Sequence, residues 1–353
     1  MLMKRFVALT IKMAYGDFFK DICYPRIYQM YPSYVVSNCH FVGISTVGES
    51  GGAIMLHGRT LNLLVEDTTA RDCICVHHGG FLYFQNTGGC VLNRVCAINC
   101  TNGASGTYHG QFYHSIVTDS DINFLILSSF TSTFNNNRYS TCYLNRGNQT
   151  IKNYNNSNIA LVQSSAFEST TAQALLVVFV TVANCFSHGN WAIYINGASP
   201  ISYIYYSNFY NNTAAVASGL IYRNVLSSLL ENCVFTMNNS PLFSGYLFIK
   251  SCYINHTGII TQNTQVSMEG EFPISETFGF AHHATAFCLT PDLIITNPPV
   301  FQQQEPCQTF PNPPTPARTI PSCQFSQDDS QPLTISSILQ FTLSSITLSI
   351  FYE

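Results

Sequence analysis

The sequence predicts an all-β protein wound as a solenoid of short strands, and three observations carry that reading. A short phrase returns late in the chain as Asn184, Cys185, Phe186; Ser207, Asn208, Phe209; Asn232, Cys233, Val234, Phe235; and Ser251, Cys252, Tyr253, at steps of 23, 25 and 19 residues. Such steps are too long for a hairpin ladder and too short for a two-helix repeat, but they suit one coil of a β-solenoid of about 20–28 residues. Between the phrases lie β-branched and aromatic pieces at residues 191–195, 219–222 and 242–249, set off by Asn, Ser and Gly. Each coil therefore holds two or three short strands.

Runs of Asn at residues 135–137, 153–158, 211–212 and 238–239 supply the third observation. In a stack of coils an Asn at a turn donates to the Asn on one side and accepts from the Asn on the other. The inward columns want apolar residues, and Cys39, Cys185, Cys233 and Cys252 fit there as small buried hydrophobes. Paired glycines, Gly51 with Gly52 and Gly79 with Gly80, stand before apolar strands, where the backbone turns tightly or neighbouring coils touch. The apolar run at residues 174–182 is too short for a membrane helix, which needs about 20 residues, and reads as one buried strand.

Composition narrows the function. Charged residues make up 9% of the 353 residues, against about a quarter in ordinary soluble domains, so Asn, Ser, Thr and Tyr must cover the surface. A net charge of −4 offers no basic patch, which sets nucleic acid aside as a partner. No phosphate loop or dinucleotide fingerprint is present, and no cofactor is expected. Cys73 and Cys75, Cys96 and Cys100, with His77 and His78 nearby, lack the second well-spaced pair of a zinc module, so no metal is expected either. Ten histidines occur without a recurring partner carboxylate.

The chain divides into four parts. Residues 1–32 form an N-terminal segment, read as a degenerate signal or a cap; residues 33–268 form the solenoid. Residues 269–332 are rich in proline, cannot continue a β-ladder, and read as an irregular stalk or linker. Residues 333–353 are almost uncharged and long enough to span a membrane, although their alternation also fits a strand. Six N-glycosylation sequons fall at Asn99, Asn148, Asn155, Asn211, Asn238 and Asn255, and would project glycans from coil corners in a secreted chain.

The phrase Cys39, His40, Phe41 followed by Gly51, Gly52, Ala53, Ile54 resembles the repeats of chlamydial polymorphic outer membrane proteins, and Phe209, Tyr210, Asn211, Asn212 resembles their second element. The same coils, with a middle block like residues 144–152, resemble a family of right-handed parallel β-helix surface proteins of trichomonads. That resemblance implies a right-handed β-helix of the pectin-lyase-like kind on a cell surface or secreted, non-enzymatic, with a host-cell protein or glycan as partner and adhesion as its work. The cluster Tyr203, Tyr205, Tyr206 and Tyr210 is the aromatic contact face expected for it. The alternative is a polysaccharide lyase or glycoside hydrolase of the β-helix class, which gathers carboxylates on one face. Asp119 and Asp121 are its candidates, sharing one face if they lie in a strand. Glu66, Asp67, Arg71 and Asp72 form the only other compact charged group in the coils.

Overall fold

The computed structural model describes residues 33–271, apart from residues 38, 47–49, 59–61, 104–108, 135–139, 162–164, 190, 198–201, 215–218, 240 and 257–260. Among the described residues there are 25 strands and no helix; all but two of the strands join one large parallel sheet wound as a solenoid. The segments expected at residues 1–32 and 333–353 lie outside the described residues, as does the segment expected at residues 269–332 from residue 272 on; the last described strand, Thr261–Glu271, runs past the expected solenoid boundary at Met268.

Each coil crosses three faces in turn. The first face carries Ser33–Ser37, Ile122–Ile126, Asn148–Lys152, Ala174–Val178 and Ser202–Tyr205; the second carries His40–Val42, Asn155–Leu161, Thr181–Ala183, Asn208–Tyr210 and Val234–Thr236. The third carries Ile54–His57, Leu82–Gln85, Tyr113–Ile116, Cys142–Asn145, Phe167–Thr170 and Ile193–Asn196. Longer strands such as Asn62–Arg71 and Cys90–Ile98 bend from the first face into the second. On the first face Val35, Leu64, Val91, Phe124, Thr150, Leu176, Tyr203, Leu229, Phe248 and Ser267 follow one another as equivalent positions of successive coils. The coils from Val35 to Leu64 and from Val91 to Phe124 are longer than the sequence reading allows. Those from Leu229 to Phe248 and from Phe248 to Ser267 are the shortest of the column.

Alternation does the sorting between inside and outside. Val36, Val65, Leu92, Leu125, Ile151, Val177, Ile204, Leu230 and Ile249 form one inward column, all buried. Each such side chain stabilises the fold by about 1.5–3 kcal/mol relative to exposure. Aromatic rings stack in the same interior, Phe81 on Phe112 at 5.4 Å and Phe209 on Phe235 at 4.7 Å along the axis, and Phe112 on Phe130 of the second face at 4.8 Å.

Two of the three corners follow a single rule, one residue with positive φ. Between the first and second faces stand Asp67, Arg94, Leu127, Asn153, Phe179, Tyr206, Asn232 and Ser251, all with φ of 45–56°. Between the second and third stand Gly43, Asp72, Asn99, Asn158, Asn184, Asn211 and Met237, at 51–63°. Short polar side chains tolerate this region best, and the expected Asn stack forms there. Asn211 donates to Asn184 at 2.6 Å and Asn184 to Asn158 at 3.3 Å. One position inward, Asn238 Oδ1 accepts from the Asn212 backbone N–H and Nδ2, at 3.0 and 3.1 Å.

Two sequence readings change. Residues 174–182 are not one buried strand: the chain turns at Phe179 (φ 56°) between Ala174–Val178 and Thr181–Ala183, and Leu176 faces solvent. The recurring phrase also mixes two corners. Ser207, Cys233 and Cys252 stack at the first corner, whereas Cys185 sits at the second, above Asn212. The step from the phrase at Cys185 to the phrase at Asn208 is therefore not a coil length.

The glycine pairs act as read. Gly51 and Gly79 have φ of 72° and 69°, while a Cβ on Gly80 would meet Gln111 O at 2.2 Å and Thr101 N at 2.5 Å, both backbone. Gly80→Ala must therefore push two coils apart and should cost about 3 kcal/mol or more. Gly43, at φ 63° with open space around its Cβ position, should lose only about 1 kcal/mol as Ala and less as Asn, which continues its column. Chemical denaturation of the three variants checks the order, and equal losses at Gly80 and Gly43 would contradict it.

Candidate functional site

On the third face the outward residue of six successive coils is Tyr83, His114, Tyr143, Glu168, Tyr194 and Tyr222. The ladder fixes their order, since each occupies the same place in its strand, and alternation turns them away from the inward Leu82, Tyr113, Cys142, Phe167, Ile193 and Ile221. His78, His109 and Trp191, from the connections leading into this face, lie against the row. His78 is 4.5 Å from His114 and 5.9 Å from Tyr83 between ring centres, and His109 is 4.6 Å from Tyr143. His114 stacks between Tyr83 at 5.0 Å and Tyr143 at 4.7 Å. Further along, Trp191 stacks at 4.5 Å on Tyr194 and 4.6 Å on Tyr222.

Glu168 separates the two aromatic groups, and its carboxylate, with the residue only 5% exposed, is paired with His109 Nδ1 at 3.0 Å. A buried carboxylate needs such a partner. Burial, aided by the nearby His109, lowers the His78 pKa to about 4. The His109 backbone N–H donates to His78 Nδ1 at 3.1 Å, a bond that needs the unprotonated nitrogen. His114, 3% exposed, is held well below the ordinary histidine range by burial and then by His78 and His109. Its Nδ1 is buried with no hydrogen-bond partner among the described residues. Burial raises the phenols of Tyr83, Tyr143 and Tyr194.

Beside this row runs a second outward column: Gln85, Ile116, Asn145, Thr170, Asn196 and Asn224. Its polar groups link to one another and to the tyrosines. Asn224 donates to Asn196 at 3.1 Å, Thr171 to Asn145, Tyr222 to Asn224 at 3.1 Å, Thr170 to the Tyr143 hydroxyl at 3.2 Å, and Tyr83 to Gln85. The surface so made is a strip of phenol hydroxyls, imidazoles and amides that repeats once per coil.

The tyrosine cluster expected at residues 203–210 is not one face. Tyr203 and Tyr205 stack at 5.3 Å on the first face, Tyr206 is a corner residue at φ 45° against Phe179, and Tyr210 points outward on the second face. The left-handed turn at Tyr206 splits the cluster. Of the sequons, Asn99, Asn148, Asn211 and Asn255 are exposed. Asn155 and Asn238 are buried, and Asn238 Nδ2 donates to Phe209 O at 2.9 Å, so neither has room for a glycan in the folded coil. Asp119 and Asp121 lie in the turn between the third and first faces, not in a strand. Asp121 accepts from the Thr118 hydroxyl there, and burial raises its pKa. Asp67 is matched by Arg94 of the next coil, which donates to it at 2.5 and 2.6 Å.

The four cysteines assigned to the interior are buried; burial pushes the Cys185 thiol up to about 12, which leaves it inert as a nucleophile. Cys73, Cys75 and Cys100 are also buried, and Cys96 is disulfide-bonded. The pair of His109 and Glu168 escapes the sequence reading because its members are two coils apart by the register. Lining up Tyr83, His114, Tyr143, Glu168, Tyr194 and Tyr222 requires steps that differ from coil to coil, so no single period reproduces the row. Comparison of the chain with protein-family models, with curated proteins and with solved structures finds no match to any of them.

The histidine cluster carries a pH signature. Folded-state pKa values of His78 and His114 lie below the unfolded value of 6.5, so the unfolded chain takes up protons first as pH falls. Their contribution is complete above pH 6.5 and is lost progressively toward pH 4. The denaturation midpoint should thus fall between pH 7 and 5, and His78→Gln with His114→Gln should flatten that slope, leaving the share of His40, which burial also lowers. A slope unchanged in the double variant would remove these two histidines as its source.

Proposed function

We propose that the chain is a non-enzymatic display protein, on a cell surface or secreted, that adheres to a host-cell glycan or protein through the third-face strip. The observation that carries this reading is the column of Tyr83, His114, Tyr143, Glu168, Tyr194 and Tyr222, in which Tyr143, Tyr194 and Tyr222 are partly exposed and the other three buried, with the partly exposed Trp191 stacked on Tyr194 and Tyr222. Rigid aromatic side chains with polar tips give contact area at low entropic cost. The likeness of the coils to trichomonad right-handed β-helix surface proteins, pectin-lyase-like in architecture, supports the location. A membrane attachment through residues 333–353 belongs to the same proposal.

The His109–Glu168 pair is the one observation favouring a carbohydrate-active enzyme, because a carboxylate-oriented imidazole can move a proton. Glycoside hydrolysis needs a second carboxyl about 5–9.5 Å away. Among the described residues of the row Glu168 is the only acid, and Asp119 and Asp121 stand at a turn. Adhesion therefore remains the first reading.

Protease treatment of intact source cells, followed with an antibody to the solenoid and one to the last residues, tests the location; both signals surviving until lysis would end the surface reading. Contact is tested by binding of the purified chain to host cells. Trp191→Ala and Tyr222→Ala should each weaken it by about 1–2 kcal/mol, and Tyr206→Ala should not. In a secretory host, peptide mapping of the folded product should find glycans at Asn99, Asn148, Asn211 or Asn255 alone; occupied Asn238 in folded material would contradict the burial argument.

A further inference from the structure

We propose that a second copy of this chain docks on the first face, the two solenoids packing sheet against sheet with their axes antiparallel. The proposal concerns a surface other than the third-face strip and stands without it. On a sheet face open to water, alternation ordinarily turns polar residues outward, and the first face does the opposite. The outward positions of six successive coils are Phe124, Thr150, Leu176, Tyr203, Leu229 and Phe248. Each is at least partly exposed, Leu176 by 37%. Leu64 and Val91, earlier in the same column, are buried, so the patch begins at Phe124. The next outward column adds Val178 and Tyr205, both partly exposed, and Tyr203 and Tyr205 stack at 5.3 Å. A contiguous apolar surface of this kind marks a contact site.

Size and spacing favour another copy as the occupant. Six coils at about 4.8 Å, crossed by five-residue strands at about 3.3 Å per residue, give about 500 Å² in plan for each copy. Two copies together bury about 1,000 Å² before side-chain relief is counted, which reaches the lower limit of a specific interface. Both copies carry rungs of the same spacing, so the side chains of one seat between those of the other at every coil. A two-fold axis along the strands, passing between Leu176 and Tyr203, closes the pair and leaves no open end. By the order of the column it sets Leu176 against the partner's Tyr203, Thr150 against the partner's Leu229 and Phe124 against the partner's Phe248.

Charge selects the antiparallel direction. The second outward column runs Lys152, Val178, Tyr205, Glu231 and Lys250. Glu231 pairs with Lys250 at 2.9 Å, whereas Lys152 makes no ion pair among the described residues, and burial lowers its pKa. The axis between Leu176 and Tyr203 brings Lys152 over the partner's Glu231, and does so twice in the pair. An axis along the solenoid would instead set Lys152 against the partner's Asn148, at the other end of the same strand, and leave the cation without an acid.

The full chain is made in a host that adds no glycans, because the exposed Asn148 stands at the edge of this face. Sedimentation velocity from about 0.1 to 100 μM, the span expected of an interface near the small end, should show a reversible monomer–dimer equilibrium. Leu176→Asp, at an exposed site, should weaken association about tenfold while the circular-dichroism spectrum of the folded chain is kept. Lys152→Glu alone and Glu231→Lys alone should each weaken it about fivefold. An equimolar mixture of those two variants should recover it, since one chain then carries both acids and the other both bases. A monomer throughout, a dimer indifferent to Leu176→Asp, or a mixture no better than its components overturns the proposal. A chain that stays monomeric but floats with phosphatidylcholine vesicles until Leu176→Asp is introduced assigns the face to lipid and overturns it as well.

Discussion

Turning a strand with one residue in the left-handed region is the constraint on which this solenoid depends. Among the described residues sixteen non-glycine positions have positive φ, and most stand in corner columns where the coil above and the coil below do the same. Each costs about 1–2 kcal/mol for an ordinary side chain and less for Asn or Asp. What offsets the cost is that the turn does not interrupt the ladder: Asp72 N–H donates to Ile98 O, Phe179 to Tyr205 O, Asn184 to Tyr210 O and Asn232 to Lys250 O. Strand pairing thus continues around the corner, and these backbone groups are not orphaned there.

Once corners are columns, the rest of the composition follows. An Asn at a corner satisfies its side chain on the Asn of the next coil, so the surface stays hydrogen-bonded without charge. Polar residues enter the interior on the same terms. Tyr154 donates to Asn156 at 2.9 Å, and Ser169 donates to Gln149 Oε1 at 2.7 Å, all of them buried. Thiols at the corners point their weak donors at carbonyls of their own or the preceding coil, as Cys233 does to Glu231 O and Ile204 O at 3.5 Å.

The fold is legible in the sequence because these corner devices are chemically distinctive. Asn153, Asn184, Asn211 and Asn232, the Cys beside two of them, and the glycines at 51 and 79 each mark a turn and stand at one in the structure. What misleads is likeness between corners: Asn184–Cys185 and Asn232–Cys233 look alike and stand at different corners, so the period comes out too short. The site is hidden for a related reason. Tyr, His and Glu on a face have no turn signature, and coils of unequal length there mask their alignment. Tyr203 to Tyr210 attract notice as neighbours in sequence, whereas neighbours in a solenoid are a coil apart.

Stability alone would account for part of the third-face row, since each stacked aromatic pair adds about 0.5–1.5 kcal/mol beyond its buried area. It does not account for the middle of the row. Glu168 brings a buried carboxylate that must be held by a histidine from two coils away, and His114 brings an imidazole with a buried nitrogen that has no partner among the described residues. Both cost free energy that a tyrosine at either place would avoid. The second face shows the simpler solution, where Ser129, Asn155, Thr181 and Asn208 fill the corresponding column with small polar groups. Departures from the locally favourable choice concentrate where a surface has work beyond folding, and in this chain they fall between two stacks of tyrosine on one face.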